Sequence, residues 1–334
     1  MTQPRVLLTG ISGFIAKHCA VELLAQGYAV RGTVRSLQNA AQVADTLASH
    51  VDVSRLEFAQ ADLESEAGWG EAAADCAWVL HVASPFPASP PRDPQALIRP
   101  AVQGTLRVLR AATAAGAERF VQTSSVAAVM HGHPRSRSAP FTESDWTDAD
   151  SPDVSAYAKS KTLAERAARD FVARHAPQLH YSSVNPGFVL GPLLDRNLGA
   201  SAQIIRMFLK GKYPGTPRLS FPTVDVRDVA HMHRLALETD APSGGRYLCA
   251  AERMWMIDLA RALRAGLGAR ARKVPSRELP DWVVRLVGLV DATARQTIPD
   301  LGKDMRVDDS LTRRALGMTY IPGAEAAAAM GRSL

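Results

Sequence analysis

Glycine spacing near the start of the chain constrains the fold more than any other feature. The apolar run Val6-Leu7-Leu8 reads as a buried strand and stops short of Gly10. A helix-compatible stretch follows over residues 13–26. Between them lies the spacing G-x-x-G-x-x-A, made by Gly10, Gly13 and Ala16. Gly10 lets the chain turn sharply out of the strand. Gly13 has no side chain to keep a diphosphate from the backbone, and Ala16 is small enough for the helix to pack on a sheet. The free N–H groups at Ser12, Gly13, Phe14 and Ile15 and the positive helix end then face the phosphates. With a strand before it and a helix after it, the turn reads as a dinucleotide site. The competing reading is a tight β–α turn that binds nothing.

The chain continues as an alternation of strands and helices. Strand signals fall at residues 28–34, 56–59, 78–82 and 120–123, with helix signals to about residue 50 and over 95–115. The expected class is therefore α/β, a Rossmann-type doubly wound parallel sheet with ligands at the C-terminal ends of its strands. The expected division is a dinucleotide-binding domain over 1–189, to which 219–240 returns, and a smaller mixed lobe for substrate over 190–218 and 241–334. The alanine-rich stretch 324–329 reads as a terminal helix or a fraying tail. Trp282, Val283, Leu286, Val287 and Val290 have helical apolar spacing, which suits a core or a pocket wall.

The second strand ends in Arg35-Ser36 with no carboxylate to bind two ribose hydroxyls. Arg35 can instead form a charge-assisted fork with a 2′-phosphate, so NADP(H) is favoured over NAD. Arg35 as a solvated loop residue, with either cofactor fitting, is the alternative. At the next strand exit Asp62, followed by Leu63, can meet an adenine amino group or cap a helix. Ala83, Ser84 and Pro85 follow a strand and are small enough to pass beneath a cofactor; prolines from there to Pro94 suggest a rim or lid.

Composition excludes several classes. At 334 residues and 46% hydrophobic content, one large domain with a lobe is affordable in core terms. No uncharged apolar run reaches about 18 residues, so no transmembrane span is expected. The opening residues show no basic segment with an apolar run behind it, which reads as an unprocessed cytoplasmic chain. Cys19, Cys76 and Cys249 lack metal spacing and read as buried free thiols within helices or strands. The net charge of +6 is spread along the chain without exposed aromatics between the basic residues, so nucleic acid is not an expected partner. His231 and His233 stand at i and i+2, which do not face one another on a helix, so neither is expected to hold a metal.

The reactive residues lie further on. Thr123 ends a strand that runs into Ser124-Ser125, and Tyr157 and Lys161 stand four apart at the start of a helix. That spacing places both on one face, a turn apart. A tyrosine with its ordinary pKa near 10 trades protons poorly at neutral pH, and an adjacent ammonium favours the phenolate. A serine hydroxyl at a strand exit can steady a substrate oxygen as charge builds on it. Only one of Ser124 and Ser125 can face the site, because side chains alternate along a strand.

With these residues the chain resembles the extended branch of the short-chain dehydrogenases/reductases. Within it the resemblance is to dihydroflavonol reductases, cinnamoyl-CoA reductases and yeast NADPH-dependent aldehyde reductases. The motifs that carry it are Thr9-Gly10-Ile11-Ser12-Gly13-Phe14-Ile15-Ala16, His81-Val82-Ala83-Ser84-Pro85-Phe86, Thr123-Ser124-Ser125-Val126, Tyr157-Ala158-Lys159-Ser160-Lys161 and Asn185-Pro186-Gly187-Phe188-Val189-Leu190-Gly191-Pro192. The resemblance implies Ser125 as the catalytic serine, Tyr157 as general acid and Lys161 as its partner. It places Pro186, Gly187 and Val189 by the nicotinamide, and Phe86, Met130 and Phe188 by the substrate. Plant flavonoid reductases carry an asparagine five positions after the serine; Met130 stands there instead and offers an apolar wall. Val126-Ala127 replaces the acidic pair that dehydratases place beside the serine.

The implied function is an NADPH-dependent carbonyl reductase, reversible as an alcohol dehydrogenase, acting on a small aldehyde or ketone. It would work as a monomer or homodimer without a membrane partner. A sugar-nucleotide epimerase, a steroid-type dehydrogenase and a non-catalytic NADP-binding sensor are the rivals on the same fold.

Overall fold

The computed structural model describes residues 3–85, 93–134 and 136–334. Its first half alternates strand and helix as β1 (Arg5–Leu8), α1 (Phe14–Ala25), β2 (Ala29–Val34), α2 (Ala40–Ala48), β3 (Leu56–Gln60), α3 (Trp69–Ala73) and β4 (Trp78–His81). There follow α4 (Gln95–Ala114), β5 (Arg119–Thr123), α5 (Ala156–His175), β6 (His180–Pro186) and β7 (Phe188–Leu190). The rest comprises α6 (Ala200–Leu209), β8 (Ser220–Asp225), α7 (Val226–Glu238), β9 (Gly245–Cys249), β10 (Glu252–Trp255) and α8 (Met256–Leu267). It ends with α9 (Asp281–Val287), α10 (Ala292–Thr297), α11 (Ser310–Leu316) and α12 (Gly323–Ser333).

Seven strands form a sheet in the order β3-β2-β1-β4-β5-β6-β9, every pair parallel. The order reverses direction between β1 and β4, which is where a doubly wound sheet opens a crevice for a ligand. Alternation in β1 shows how the layers form. Val6 and Leu8 pack with Cys19, Leu23 and Met232 on one face. Leu7 packs with Val108, Leu109 and Ala168 on the other. A second sheet, β10-β8-β7, pairs β7 with β8 in parallel and β8 with β10 antiparallel.

The chain moves between the two sheets more often than the sequence suggested. β8, expected to return to the main domain, joins the small sheet, and only α7 of that segment packs back on the main one. β9, expected in the lobe, is the seventh strand of the main sheet and pairs with β6 from Ser182↔Gly245 to Pro186↔Cys249. Its short apolar run Tyr247-Leu248-Cys249 is followed by another strand rather than a helix, so the alternation that marks the other strands is missing.

The alanine-rich stretch is a helix and not a fraying tail. Ala326, Ala327 and Met330 of α12 are fully buried against Ile205, Phe208, Leu259 and Leu263. Small residues let α12 approach α8 closely: a Cβ on Gly266 would stand 2.5 Å from Ala328. The 282–290 stretch differs from a core helix. α9 is two turns long and buries Val284, while Trp282, Leu286, Val287 and Val290 are exposed. All three cysteines are buried and free, but Cys76 lies in the turn before β4 rather than inside an element. No helix among the described residues is long and apolar enough to cross a membrane.

Candidate active site

The site begins at the β1–α1 turn. Gly10 has φ +66°, and a Cβ there would lie 3.0 Å from that of Ala83. Any other residue would be strained and would crowd the β4 exit. The turn is tied to its neighbours, since Gly10 N donates to Thr33 Oγ1 (2.9 Å) and Ala83 N donates to Thr9 Oγ1 (3.0 Å). Gly13 caps α1 with ordinary extended backbone, and neither a side-chain cap nor an acidic residue occupies the first helical turn. Those amides and the positive helix end fit an anion such as a diphosphate. Ser12, Phe14 and Ile15 are half-buried here; Phe14 meets the His18 ring edge-on at 5.7 Å, and Ile15 packs on the main core.

Several polar groups brace this turn. His81 on β4 lies between the Thr9 and Thr105 hydroxyls at 3.0 and 3.2 Å. Burial, aided by the Lys161 charge, pushes its pKa down to about 3, so the ring is neutral. Lys17 on α1 is buried and pairs with Asp195. Asn197 Nδ2 donates to the Ser12 carbonyl at 3.2 Å.

The other positions expected to meet a dinucleotide are dispersed along the strand exits. Arg35 is exposed just beyond β2. Asp62 does not cap α3, whose N-cap is Gly68; its carboxylate accepts from Glu64 N (3.0 Å) and closes a local turn. The Leu63 side chain is packed on α4, where a Cβ on Gly104 would come within 2.9 Å of it. Ala83, Ser84 and Pro85 are half-buried beyond β4, while Phe86 lies outside the described residues.

Three elements bring the reactive side chains together. Ser155 caps α5 by accepting from Ala158 N (3.2 Å), which starts the helix just before Tyr157. Ser125 leaves β5 in extended conformation and caps a 3-10 turn over Val126–Ala128, its hydroxyl accepting from Ala127 N (3.1 Å). That hydroxyl donates to the Pro186 carbonyl at the end of β6 (3.4 Å) and hydrogen-bonds with the Tyr157 phenol. Burial pushes the Tyr157 pKa up, and the Ser125 hydrogen bond works against it. Lys161 Nζ donates to the Thr123 carbonyl at 3.2 Å. Burial pulls its pKa down to about 8, and the Glu165 charge resists. Burial, and not the Lys161 charge, sets the direction of the Tyr157 shift.

Ser124 faces the opposite way, its hydroxyl donating to buried Glu165 at 2.6 Å. Thr123 contributes to the site by its carbonyl. Its side chain meets His233 Nε2 on α7 at 2.7 Å. His233 Nδ1 lies 2.7 Å from the Val229 carbonyl and must carry the ring proton, so Nε2 accepts from Thr123. Burial holds His233 near pKa 4, and it serves as a brace. His231, turned elsewhere, is 3.0 Å from Glu22.

On the lobe side, Gly187 is required because a Cβ would meet the Pro222 carbonyl at 2.2 Å. Phe188 stacks on Phe221 with centroids 5.2 Å apart, and Val189 pairs with Val224. Met130 is buried among Val126, Val129, Leu248 and Met305, and borders a cavity of about 200 Å³ with His133, Phe141 and Leu301. Sequence reasoning passed over Glu165, Arg246, His81 and Lys17. For Glu165 a signal existed, because it stands one further turn along the face shared by Tyr157 and Lys161.

A parallel sheet in this strand order, a glycine turn at its first crossover and a Ser-Tyr-Lys group at the end of β5 define an extended short-chain dehydrogenase/reductase. The model of the NAD dependent epimerase/dehydratase family matches residues 6–250, and the chain belongs to that family. It is 38% identical to cinnamoyl-CoA reductase CAD2 of Medicago truncatula, over 83% of this chain and 82% of that one. It is 33% identical to ketoreductase azaE of Aspergillus niger, over 95% and 93% of the two chains. Among solved structures, yeast methylglyoxal/isovaleraldehyde reductase Gre2 complexed with NADPH is similar with a TM-score of 0.83 at 25% identity, covering 98% of this chain and 97% of that one.

Proposed function

We propose that the protein is an NADPH-dependent carbonyl reductase for small to medium aldehydes or ketones, running in reverse as an alcohol dehydrogenase. The observation that carries this reading is the hydrogen bond between Tyr157 and Ser125, with Lys161 one turn along α5. The bound dinucleotide would supply the hydride that reduces the carbonyl carbon. Tyr157 Oη would give its proton to the carbonyl oxygen, and Ser125 Oγ would donate a hydrogen bond to the same atom. The Lys161 ammonium would stabilise the phenolate left behind. Exposed Arg35 suits a 2′-phosphate, and no carboxylate stands in the Arg31-Gly32-Thr33-Val34-Arg35-Ser36 stretch to prefer a bare ribose. Ala83, Ser84, Pro186, Gly187 and Val189 would line the dinucleotide, and the smaller lobe with Met130 and Phe188 would receive the substrate. The reductases among its relatives support the same reaction. Buried free thiols fit a cytoplasmic setting, with the protein a monomer or homodimer.

The test is oxidation of NADPH and NADH against a panel of aldehydes, ketones and a dihydroflavonol. Turnover with NADPH, reduced by about 10²–10⁴-fold in Tyr157→Phe, is expected. Full activity in Tyr157→Phe, or NADPH binding with no carbonyl reduced, would sink the reading. Tightly held NAD and isomerase activity without added cofactor would point to an epimerase.

A further inference from the structure

Beneath the reactive groups lies a carboxylate that the proposed reaction does not use. Glu165 is on α5, four residues beyond Lys161, and is fully buried. Its Oε2 accepts from Ser124 Oγ (2.6 Å) and Asn185 Nδ2 (2.9 Å). Its Oε1 accepts from Arg246 Nε (2.7 Å), Ser183 Oγ (3.0 Å) and Arg169 Nε (3.4 Å). Asn185 Nδ2 donates also to the Ser125 carbonyl (3.1 Å), which fixes the orientation of that amide, since both neighbours are acceptors. Arg246, itself buried on β9, donates to the carbonyls of Ala128 (3.0 Å), Glu143 (2.9 Å) and Asp145, and lies 3.7 Å from the centre of the Trp146 ring.

One buried ion pair therefore ties α5 to β6, β9, the end of β5 and the turn after Ser125. A buried ion pair is poorly explained by stability, because packed apolar residues serve as well or better. What distinguishes this one is where its bonds end. They reach Ser124, the Ser125 carbonyl through Asn185, and the Ala128 carbonyl of the serine turn, and Glu165 stands one helical turn from Lys161.

We propose that Glu165, held by Arg246, is a positioning residue for the reaction: it fixes the strand exit that carries Ser125 and supplies a buried negative charge one helical turn from Lys161. The proposal rests on the carbonyl-reductase reading. The groups facing Lys161 agree with it. From β5 comes the Thr123 carbonyl, from β4 the neutral His81, and from α5 Glu165; His233 of α7, also neutral, reaches Thr123. Burial already draws Lys161 to about 8 against the pull of Glu165. Neutralising the carboxyl would also leave the Arg246 and Arg169 charges unbalanced, and Lys161 would lose its proton at a lower pH.

The test compares Glu165→Gln with the double variant Glu165→Gln/Arg246→Met, which removes both charges together and so avoids stranding a buried guanidinium. NADPH affinity, kcat, KM and the pH–rate profile are measured on the full chain. Lys161 is titrated by NMR with lysine labelled at Cε and assigned with Lys161→Arg. A fall in kcat of about tenfold or more is expected, with NADPH affinity within about twofold. The alkaline limb and the Lys161 titration should both move to lower pH by roughly one unit. An unmoved Lys161 titration in folded Glu165→Gln, or an unchanged kcat in the folded double variant, would overturn the proposal. So would equal loss of kcat and NADPH binding, the mark of a merely structural role. If the unaltered protein reduces no carbonyl while the Lys161 titration moves as described, the charge coupling holds and the reductase reading fails.

Discussion

The C-terminal edge of the main sheet and the smaller lobe are held together by different means. At the C-terminal edge of the sheet, buried polar groups fix one another: Thr9 with His81, Thr123 with His233, and Ser124 and Asn185 with Glu165. The lobe relies on apolar contact among α6, α8 and α12, and it leaves Trp282 62% and Val290 89% exposed. Hydrogen bonds have direction and specify one geometry, whereas apolar contact tolerates exchange of one side chain for another. The contrast matches a division of labour. In the proposed reaction a proton and a hydride would be delivered to fixed atoms, while a lobe that admitted substrate could vary without disturbing them.

The sharpest way to break the contrast is at Gly10. Gly10→Ala places a side chain at φ +66° and within 3.0 Å of the Ala83 Cβ. The strain should cost about 1–2 kcal/mol in urea unfolding and weaken NADPH binding by roughly tenfold, that being the effect of 1.4 kcal/mol. Unchanged affinity by fluorescence titration would show that the turn is not rigid.

A smaller, pH-dependent effect is expected at the joint between the two parts. Asp228 on α7 accepts from Ile321 N at 2.8 Å. Burial, with the Asp225 charge, raises its carboxyl from 3.8 to about 6. A raised carboxyl favours the protonated fold, so its contribution is complete below the unfolded pKa of 3.8 and is lost as pH rises through about 6. Asp228→Asn mimics the protonated state. It should melt at a higher temperature than the parent at about pH 8 and at the same temperature near pH 4. A gap that is constant with pH would remove titration as its cause.

The least effect is expected at the lobe surface. Trp282→Gln should alter stability by no more than about 0.5 kcal/mol and leave kcat for small aldehydes unchanged. A large stability loss would mean that α9 is packed more firmly than its exposure shows.

Much of the sheet was legible because local patterns suffice for it. β1, its glycine turn and α1 announce themselves within the first 26 residues, and the Tyr157–Lys161 spacing follows from helical geometry alone. β9 was missed because its place depends on pairing with β6, and no helix follows it to complete the alternation. The partners of Glu165 come from β5, β6 and β9, so only the register of those strands brings Ser124, Asn185 and Arg246 to one carboxylate. Asp62 was ambiguous for another reason. An aspartate that closes its own turn is written the same way as one that caps a helix, and the distinction here lies in Gly68, six residues on.

The strand order carries a consequence for how such a chain can be taken apart. After β6 the backbone enters the small sheet as β7 and β8, comes back along α7 and β9, and leaves again as β10. Gly187 alone separates β6 from β7, and Ala250 and Ala251 alone separate β9 from β10. A single backbone cleavage would therefore release neither part. A lobe exchanged between related enzymes has to be transplanted as at least two segments, with α7 and β9 left behind.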